Sequence, residues 1–265
     1  MPRALFLSPH FDDVAFSCGG IAFSLAMRGW STTLCTVFTK SVPSPTGFAL
    51  ACQLDKGLAA DIDYLALRGV EDDAAARALA FSEVARLEFA EAPHRGYDSA
   101  AALFGDFTPT DDIARALEAR LRECVRESDA IFAPQALGAH VDHRRVRDAI
   151  LAIAAAPGHT PRTMWYRDAP YVLREPDADA SEPLASKMPT TVGFALDARA
   201  LAAKLDACAA YTSQLGFQFG GERAMRDALG AFAADEGRRV SVDAPSEGVR
   251  SCELMLGRFR GEIAR

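Results

Sequence analysis

Two short apolar runs each lead into a cluster of histidine and aspartate, and this pairing constrains the fold more than any other feature. Ala4-Leu5-Phe6-Leu7 leads into Ser8-Pro9-His10-Phe11-Asp12-Asp13, and Ala130-Ile131-Phe132-Ala133 leads towards His140-Val141-Asp142-His143. Runs this short, apolar at every position, suit central strands of a parallel sheet, which are buried on both faces. Helical patterns separate them. Gly19-Gly20 opens a helix that stops at Gly29, and further helices are expected at 71–81, 113–127, from Asp142 or His143 to 156, at 197–211 and from 222, the last closing the fold. More strands are expected at 32–39, 84–89, 164–166 and 191–196, with loops over 40–56 and 90–110 and an excursion at 174–189. Thr110-Asp111-Asp112 should cap the helix that follows, with acidic residues at its positive end. Alternation of strand and helix implies a mainly parallel α/β sheet covered by helices on both faces. No repeat or linker divides the chain, so 1–265 reads as one domain.

In such folds ligands bind beyond the carboxyl ends of the strands, where both clusters lie. A zinc-type divalent metal takes nitrogen and oxygen ligands, commonly three from protein, and leaves a position for water. His10, Asp13 and His143 can supply three ligands, which leaves Asp12 as the base that takes the water proton. Adjacent carboxylates on a turning chain point in different directions, so Asp12 and Asp13 should divide these roles. His140 and His143 lie three residues apart, close enough for both rings to face one cavity. One can ligate while the other, protonated, supports a developing oxyanion. Asp142 between them should hold a ring nitrogen and fix its tautomer and charge. A lone histidine at a strand end is commonly an ordinary hydrogen-bonded residue. Here three of the chain's five histidines fall in two such clusters.

Pro9-His10-Phe11-Asp12-Asp13 with Gly19-Gly20, and His140-Val141-Asp142-His143, resemble the LmbE/PIG-L family of metal-dependent N-deacetylases. Arg68-Gly69-Val70-Glu71 resembles the family's Arg-x-x-Glu helix start. Tyr166-Arg167-Asp168-Ala169-Pro170-Tyr171 resembles a Tyr-x-Asp-x-Pro-Tyr segment of one branch, and Tyr211-Thr212-Ser213-Gln214 a Tyr-x-Ser-Gln near the family's C-terminal end. Phe11 and Val14 depart from it, standing where relatives carry Pro and Glu. The resemblance implies a Rossmann-like domain with one Zn2+, or another divalent metal, per chain. It also implies hydrolysis of an N-acyl group, most simply N-acetyl, from an amino sugar or similar small amine-bearing molecule. In that reading Asp12 is the base, and His140, kept charged and oriented by Asp142, stabilises the oxyanion. Arg68 and Tyr171 would contact substrate, although Arg68 could equally pair with Glu71 and Tyr171 could be a packed ring. The residues alone leave open the hydrolysis of another ester or amide, or a non-catalytic α/β binding module.

A net charge of −7 argues against a nucleic-acid partner, whose phosphates require a concentrated positive surface. The basic run His143-Arg144-Arg145-Val146-Arg147 is expected to open a helix beside the site. No apolar stretch approaches the roughly 18 residues that span a bilayer. The six cysteines form no Cys-x-x-Cys pair and read as reduced core residues. With no secretory signal evident, a cytoplasmic location is expected.

Overall fold

The structure is a computed structural model that describes residues 1–156, 162–178, 184–187, 191–239 and 251–256. The chain begins with β1 (Arg3–Ser8), α1 (Asp13–Met27), β2 (Ser31–Thr36), α2 (Gly47–Leu54), α3 (Tyr64–Ala78) and β3 (Glu83–Arg86). After a 3-10 turn at Ala92–His94 come α4 (Ala100–Leu103), α5 (Ala114–Val125), β4 (Ala130–Pro134), α6 (Val141–Ala155) and β5 (Arg162–Tyr166). The remainder is α7 (Tyr171–Arg174), α8 (Leu184–Lys187), β6 (Thr191–Leu196), α9 (Ala198–Ala209), α10 (Thr212–Phe219), α11 (Glu222–Arg239) and β7 (Ser251–Leu256).

The strands form one sheet in the order β3-β2-β1-β4-β5-β7-β6. β1 to β5 are parallel, and β7 runs antiparallel between β5 and β6. Successive residues of each central strand feed opposite cores, as the period of two requires. Ala4, Phe6, Phe132, Met164 and Tyr166 pack beneath α1, α3, α9 and α11. Leu5, Leu7, Ile131, Ala133 and Trp165 pack against Leu117 and Leu121 of α5 and Val146 and Ile150 of α6. Phe6 and Phe132, partners in register, stack with ring centroids 4.3 Å apart. The fold is thus the α/β arrangement expected, with helices on both faces. Because β1 and β4 are neighbours, their carboxyl ends set the two His/Asp clusters side by side.

Several elements differ from expectation. The helix expected to open at Gly19-Gly20 begins at Asp13, and its backbone breaks at Cys18 (φ −141°, ψ 25°), so the glycines start only its second half. Glu253 of β7 enters that break and accepts from Gly20 N (3.2 Å) and Ile21 N (2.8 Å), with Lys204 Nζ at 2.6 Å balancing its charge. A Cβ on Gly20 would lie 2.6 Å from Leu196 Cδ1, so any larger residue would have to push that side chain aside. The loop expected over 40–56 contains α2. α3 starts at Tyr64, capped by Asp63 accepting from Ala66 N (2.9 Å), so Arg68 lies inside that helix rather than opening one. α5 has no side-chain cap at its start. Within the expected capping segment Thr110-Asp111-Asp112, Asp111 is committed to Arg95, Tyr97 and Arg145 instead. α10 and β7 were not foreseen, and β7, not a helix, is the last described element. Of the expected excursion at 174–189, residues 179–183 and 188–189 lie outside the described residues. No helix among the described residues is long and apolar enough to cross a membrane.

Candidate metal centre

Beyond β1 the chain makes a tight turn held by its own side chains. Ser8 Oγ donates to His10 O (2.6 Å) and accepts from Val14 N (3.1 Å), while Asp13 Oδ2 accepts from His10 N (2.6 Å). Asp12 sits at φ 98°, a left-handed conformation that is costly for a residue with a Cβ. That strain splits the neighbouring carboxylates: Asp13 turns to the histidines and Asp12 to Arg68. Phe11 and Val14, the two departures from the family pattern, are buried in the core beneath the turn.

Beyond β4, left-handed residues at Ala136, Gly138 and Ala139 swing the chain into α6, with His140 at its N-cap. At Gly138 a Cβ would lie 2.6 Å from Tyr171 Cγ, so this turn and the Tyr171 ring fit only with glycine between them. His10, His140 and His143 come together here, each offering a ring nitrogen within 4.8 Å of the others.

The hydrogen bonds divide these three rings by role. His10 Nε2 lies 2.9 Å from Asp142 Oδ2, and a carboxylate can only accept, so Nε2 carries a proton and Nδ1 is left to face Asp13 Oδ2 at 3.6 Å. His143 Nδ1 lies 2.7 Å from Asp168 Oδ1, which frees Nε2 to face Asp13 Oδ2 at 3.3 Å. His140 is the reverse case. Its Nδ1 accepts from Asp142 N (3.2 Å), so the neutral ring carries its proton on Nε2 and presents a donor. His10 Nδ1 and His143 Nε2 are therefore the nitrogens that would offer lone pairs once their rings lose a proton, whereas His140 offers an N–H.

Whether a metal suits these residues is tested by His143 Nε2, a fully buried nitrogen without a hydrogen-bond partner among the described residues. Such an atom is costly unless something else engages it. Two imidazole nitrogens converging on a carboxylate form a donor set of the zinc type. The residues fit a divalent metal.

Charge follows the same geometry. Burial works against a charged His143, but Asp13 and Asp168 outweigh it and push the ring up to about 9. Burial, reinforced by the charge on His10, holds His140 well below the ordinary imidazole range. Burial also drives Asp12 up to about 7, despite the opposing pull of Arg68.

Asp142 departs from expectation. Its carboxylate holds the His10 ring rather than His140 or His143, and also takes Arg95 Nη2 (2.7 Å) and Ala92 N (3.1 Å). His140 is accordingly neutral in this structure, with no carboxylate holding it charged. Arg68 is buried beneath the site, pairing with Asp12 Oδ2 (3.1 Å) and Glu91 Oε1 (3.0 Å) and donating to Phe11 O. Its anticipated partner Glu71 instead accepts from Thr212 Oγ1, Ser213 N and Ser213 Oγ, which ties α10 to α3. Tyr171 packs edge-on to the His143 ring at 5.4 Å and borders the cleft.

Neither Asp168 nor Arg95 is among the site residues that the sequence points to, and Asp111 is expected there only as part of a helix cap. A signal for Asp168 existed: it stands just past the apolar run Met164-Trp165-Tyr166, a third strand end carrying a carboxylate. The cleft over the cluster holds about 300 Å³ and is bordered by Phe48, Lys56, Tyr64, Glu91, Phe104, Arg174, Phe217 and Gln218, among others.

Residues 5–154 match the sequence profile of the PIG-L family, described as GlcNAc-PI de-N-acetylase. The span holds every residue of both clusters. The chain belongs to this family. It is 35% identical over 184 residues to the 2'-N-acetylparomamine deacetylase of Streptomyces fradiae, covering 69% of this chain and 62% of that protein. It is 30% identical to the enzyme of the same name from Niallia circulans, covering 63% of this chain and 66% of that one. The match thus spans just under two thirds of either relative's length. Among solved structures, the zinc-inhibited form of a teicoplanin deacetylase superposes with a TM-score of 0.80 at 22% identity, covering 96% of this chain and 97% of that one. The 4-carboxy-2-hydroxymuconate hydratase of Pseudomonas putida shares the fold less closely, with a TM-score of 0.61 at 17% identity over 99% and 98% of the two chains. One fold thus serves a deacetylase and a hydratase, so the reaction must be argued from the site.

Proposed function

We propose that this protein is a zinc-dependent hydrolase that removes an N-acyl group, most simply N-acetyl, from an amino sugar or similar small molecule. The observation that carries this reading is the division of the ring nitrogens: His10 Nδ1 and His143 Nε2, the nitrogens left over by Asp142 and Asp168, converge on Asp13, while His140 and Asp12 remain available for proton chemistry. His10, Asp13 and His143 would hold one ion per chain. When bound, that ion supplies Lewis acidity, lowering the pKa of a water and polarising the acyl carbonyl. Asp12, driven towards neutrality by burial, takes the proton of the attacking water and returns it to the departing amine. His140 donates its Nε2 proton in a hydrogen bond to the acyl oxygen as negative charge grows there; losing such a donor costs on the order of 100-fold in rate. Arg68 anchors Asp12 from below, keeping its carboxylate oriented, and Tyr171 borders the substrate side.

The names of the relatives support an acylated amino sugar as substrate. Release of free amine should be measured from 2'-N-acetylparomamine and from N-acetylglucosamine derivatives, with enzyme that is zinc-loaded, chelated or reloaded. Turnover that appears with zinc, disappears with chelator and returns on reloading is the expected result. Amine release indifferent to chelation would sink the metal-dependent reading.

A further inference from the structure

Two cations at the mouth of the cleft have no ion-paired carboxylate among the described residues, and they touch adjacent residues of α10. Lys56 lies just past α2, in a segment expected to be loop. Its ammonium lies 5.3 Å from the centroid of the Tyr64 ring and 5.0 Å from that of Phe217, and donates to Cys52 O at 2.8 Å. An ammonium has three donors, and that carbonyl uses one. Arg174 closes α7 across the mouth, and its Nη2 donates to the Gln218 side-chain carbonyl at 3.2 Å. A guanidinium has five donors, so most of Arg174 also remains free.

The carboxylates nearby act on Lys56 only at a distance and form no ion pair with either cation. Glu91 is already taken by Arg68, and Asp55, which also borders the cleft, is not paired with either cation. Lys56 is mostly withdrawn from water, which lowers the affinity of its ammonium for the proton, with Arg68 adding to the effect. A partly desolvated ammonium without a counter-ion is unfavourable, and an incoming anion would relieve that cost. Phe217, on which Lys56 rests, is 52% exposed, and Phe104 on the same cleft is 44% exposed. Large aromatics left uncovered at a cavity rim suit a ligand with an apolar face.

We propose that Lys56 and Arg174 bind an anionic group, a carboxylate or phosphate, carried by the substrate in addition to its acyl amide, with Phe217 beneath it. This rests on the N-deacylase reading of the same cleft and narrows its substrate class: an acylated sugar bearing an acid is taken in preference to a neutral or polycationic one.

The test compares zinc-loaded enzyme on N-acetylglucosamine 1-phosphate, N-acetylmuramic acid, methyl N-acetylglucosaminide and 2'-N-acetylparomamine. The first two distinguish phosphate from carboxylate. At low ionic strength at least one acidic substrate should exceed the neutral one by roughly 10-fold in kcat/KM, as charge-assisted hydrogen bonds allow. The advantage should lie in KM and shrink with salt. Lys56→Gln and Arg174→Gln should each reduce the acidic-to-neutral ratio several-fold, and Lys56→Arg should restore most of it. A ratio near one in the wild type, or one that the Gln variants leave unaltered, overturns the proposal. So does a preference for the cationic substrate. Direct binding of glucosamine 1-phosphate, muramic acid and methyl glucosaminide, read by calorimetry, requires no turnover. Tighter binding of an acid there, weakened by Lys56→Gln, upholds the anion site even if no N-acyl substrate is hydrolysed. Equal binding of all three overturns it.

Discussion

Asp168 Oδ1 lies 2.7 Å from His143 Nδ1, and its other oxygen accepts from Leu137 N at 3.0 Å. One carboxylate therefore ties β5 to the turn after β4 and points His143 Nε2 at Asp13. Carboxylates that orient a ligating imidazole commonly contribute 10- to 100-fold in metal affinity. Asp168→Asn keeps the shape and weakens the acceptor, so zinc affinity, read by chelator competition, should fall by roughly that factor. An unchanged dissociation constant would return Asp168 to a purely structural role.

The same contacts predict how the metal-free fold responds to pH. The His143 ring is raised from its ordinary 6.5 to about 9, because Asp13 and Asp168 outweigh the burial that opposes its charge. A raised pKa gives stability that is fully present below 6.5 and lost as pH rises through 9. Thermal unfolding of chelated protein should therefore decline across that window. Zinc must displace this proton, so its apparent affinity should rise with pH over the same range. In zinc-loaded protein the decline should be absent, and identical pH profiles with and without zinc would argue against His143 as a ligand.

The left-handed backbone of Asp12 separates it from Asp13, and the two should be separable by substitution. Asp13 Oδ2 faces His10 Nδ1 and His143 Nε2, whereas Asp12 faces Arg68. Asp12→Asn should retain zinc while losing at least 100-fold in turnover, the scale of a removed general base. Asp13→Asn should lose zinc. Elemental analysis of both variants, set beside their rates, checks this; zinc loss confined to Asp12→Asn would reverse the assignment.

What the sequence revealed, and what it hid, follows from the range of the interactions. β1 and β4 were legible because both faces of each are buried, and their apolar runs end where the polar site begins. The partner of Asp142 was not legible. It is His10, 132 positions away, reached only because β1 and β4 lie side by side. β7 was hidden for a related reason: Ser251-Cys252-Glu253 puts a buried carboxylate in a strand, tolerable only because the break in α1 and Lys204 satisfy it. α10 follows α9 almost without interruption, and the bonds that turn the chain there come from Glu71 on α3. Asp111 fitted a local capping pattern but answers to three distant partners instead.

Tyr171 tests the substrate side without disturbing the metal. Its ring is fixed by Gly138 and His143, but among the described residues its hydroxyl has no partner. Tyr171→Phe removes one oxygen and preserves the packing. If that hydroxyl bonds substrate, kcat/KM should drop by about 10-fold, the order of one net hydrogen bond, with zinc content unchanged. Unaltered kinetics on the true substrate would make Tyr171 only a packing residue.

Arg68 should act through Asp12. Burial pushes the Asp12 carboxyl up to about 7, and Arg68 is the strongest group holding it down. Replacing Arg68 by Met removes that restraint, so the acidic limb of the kcat/KM profile, which reports protonation of the base, should move to higher pH. Arg68→Lys retains the charge and should bring the limb most of the way back. Glu91 also loses its partner in Arg68→Met, and an uncompensated buried charge costs about 3–5 kcal/mol, so thermal stability should fall as well. The two readouts separate the roles. A stability loss with an unmoved limb would leave Arg68 as a structural ion pair, whereas a moved limb restored by Lys identifies it as the group that sets the base.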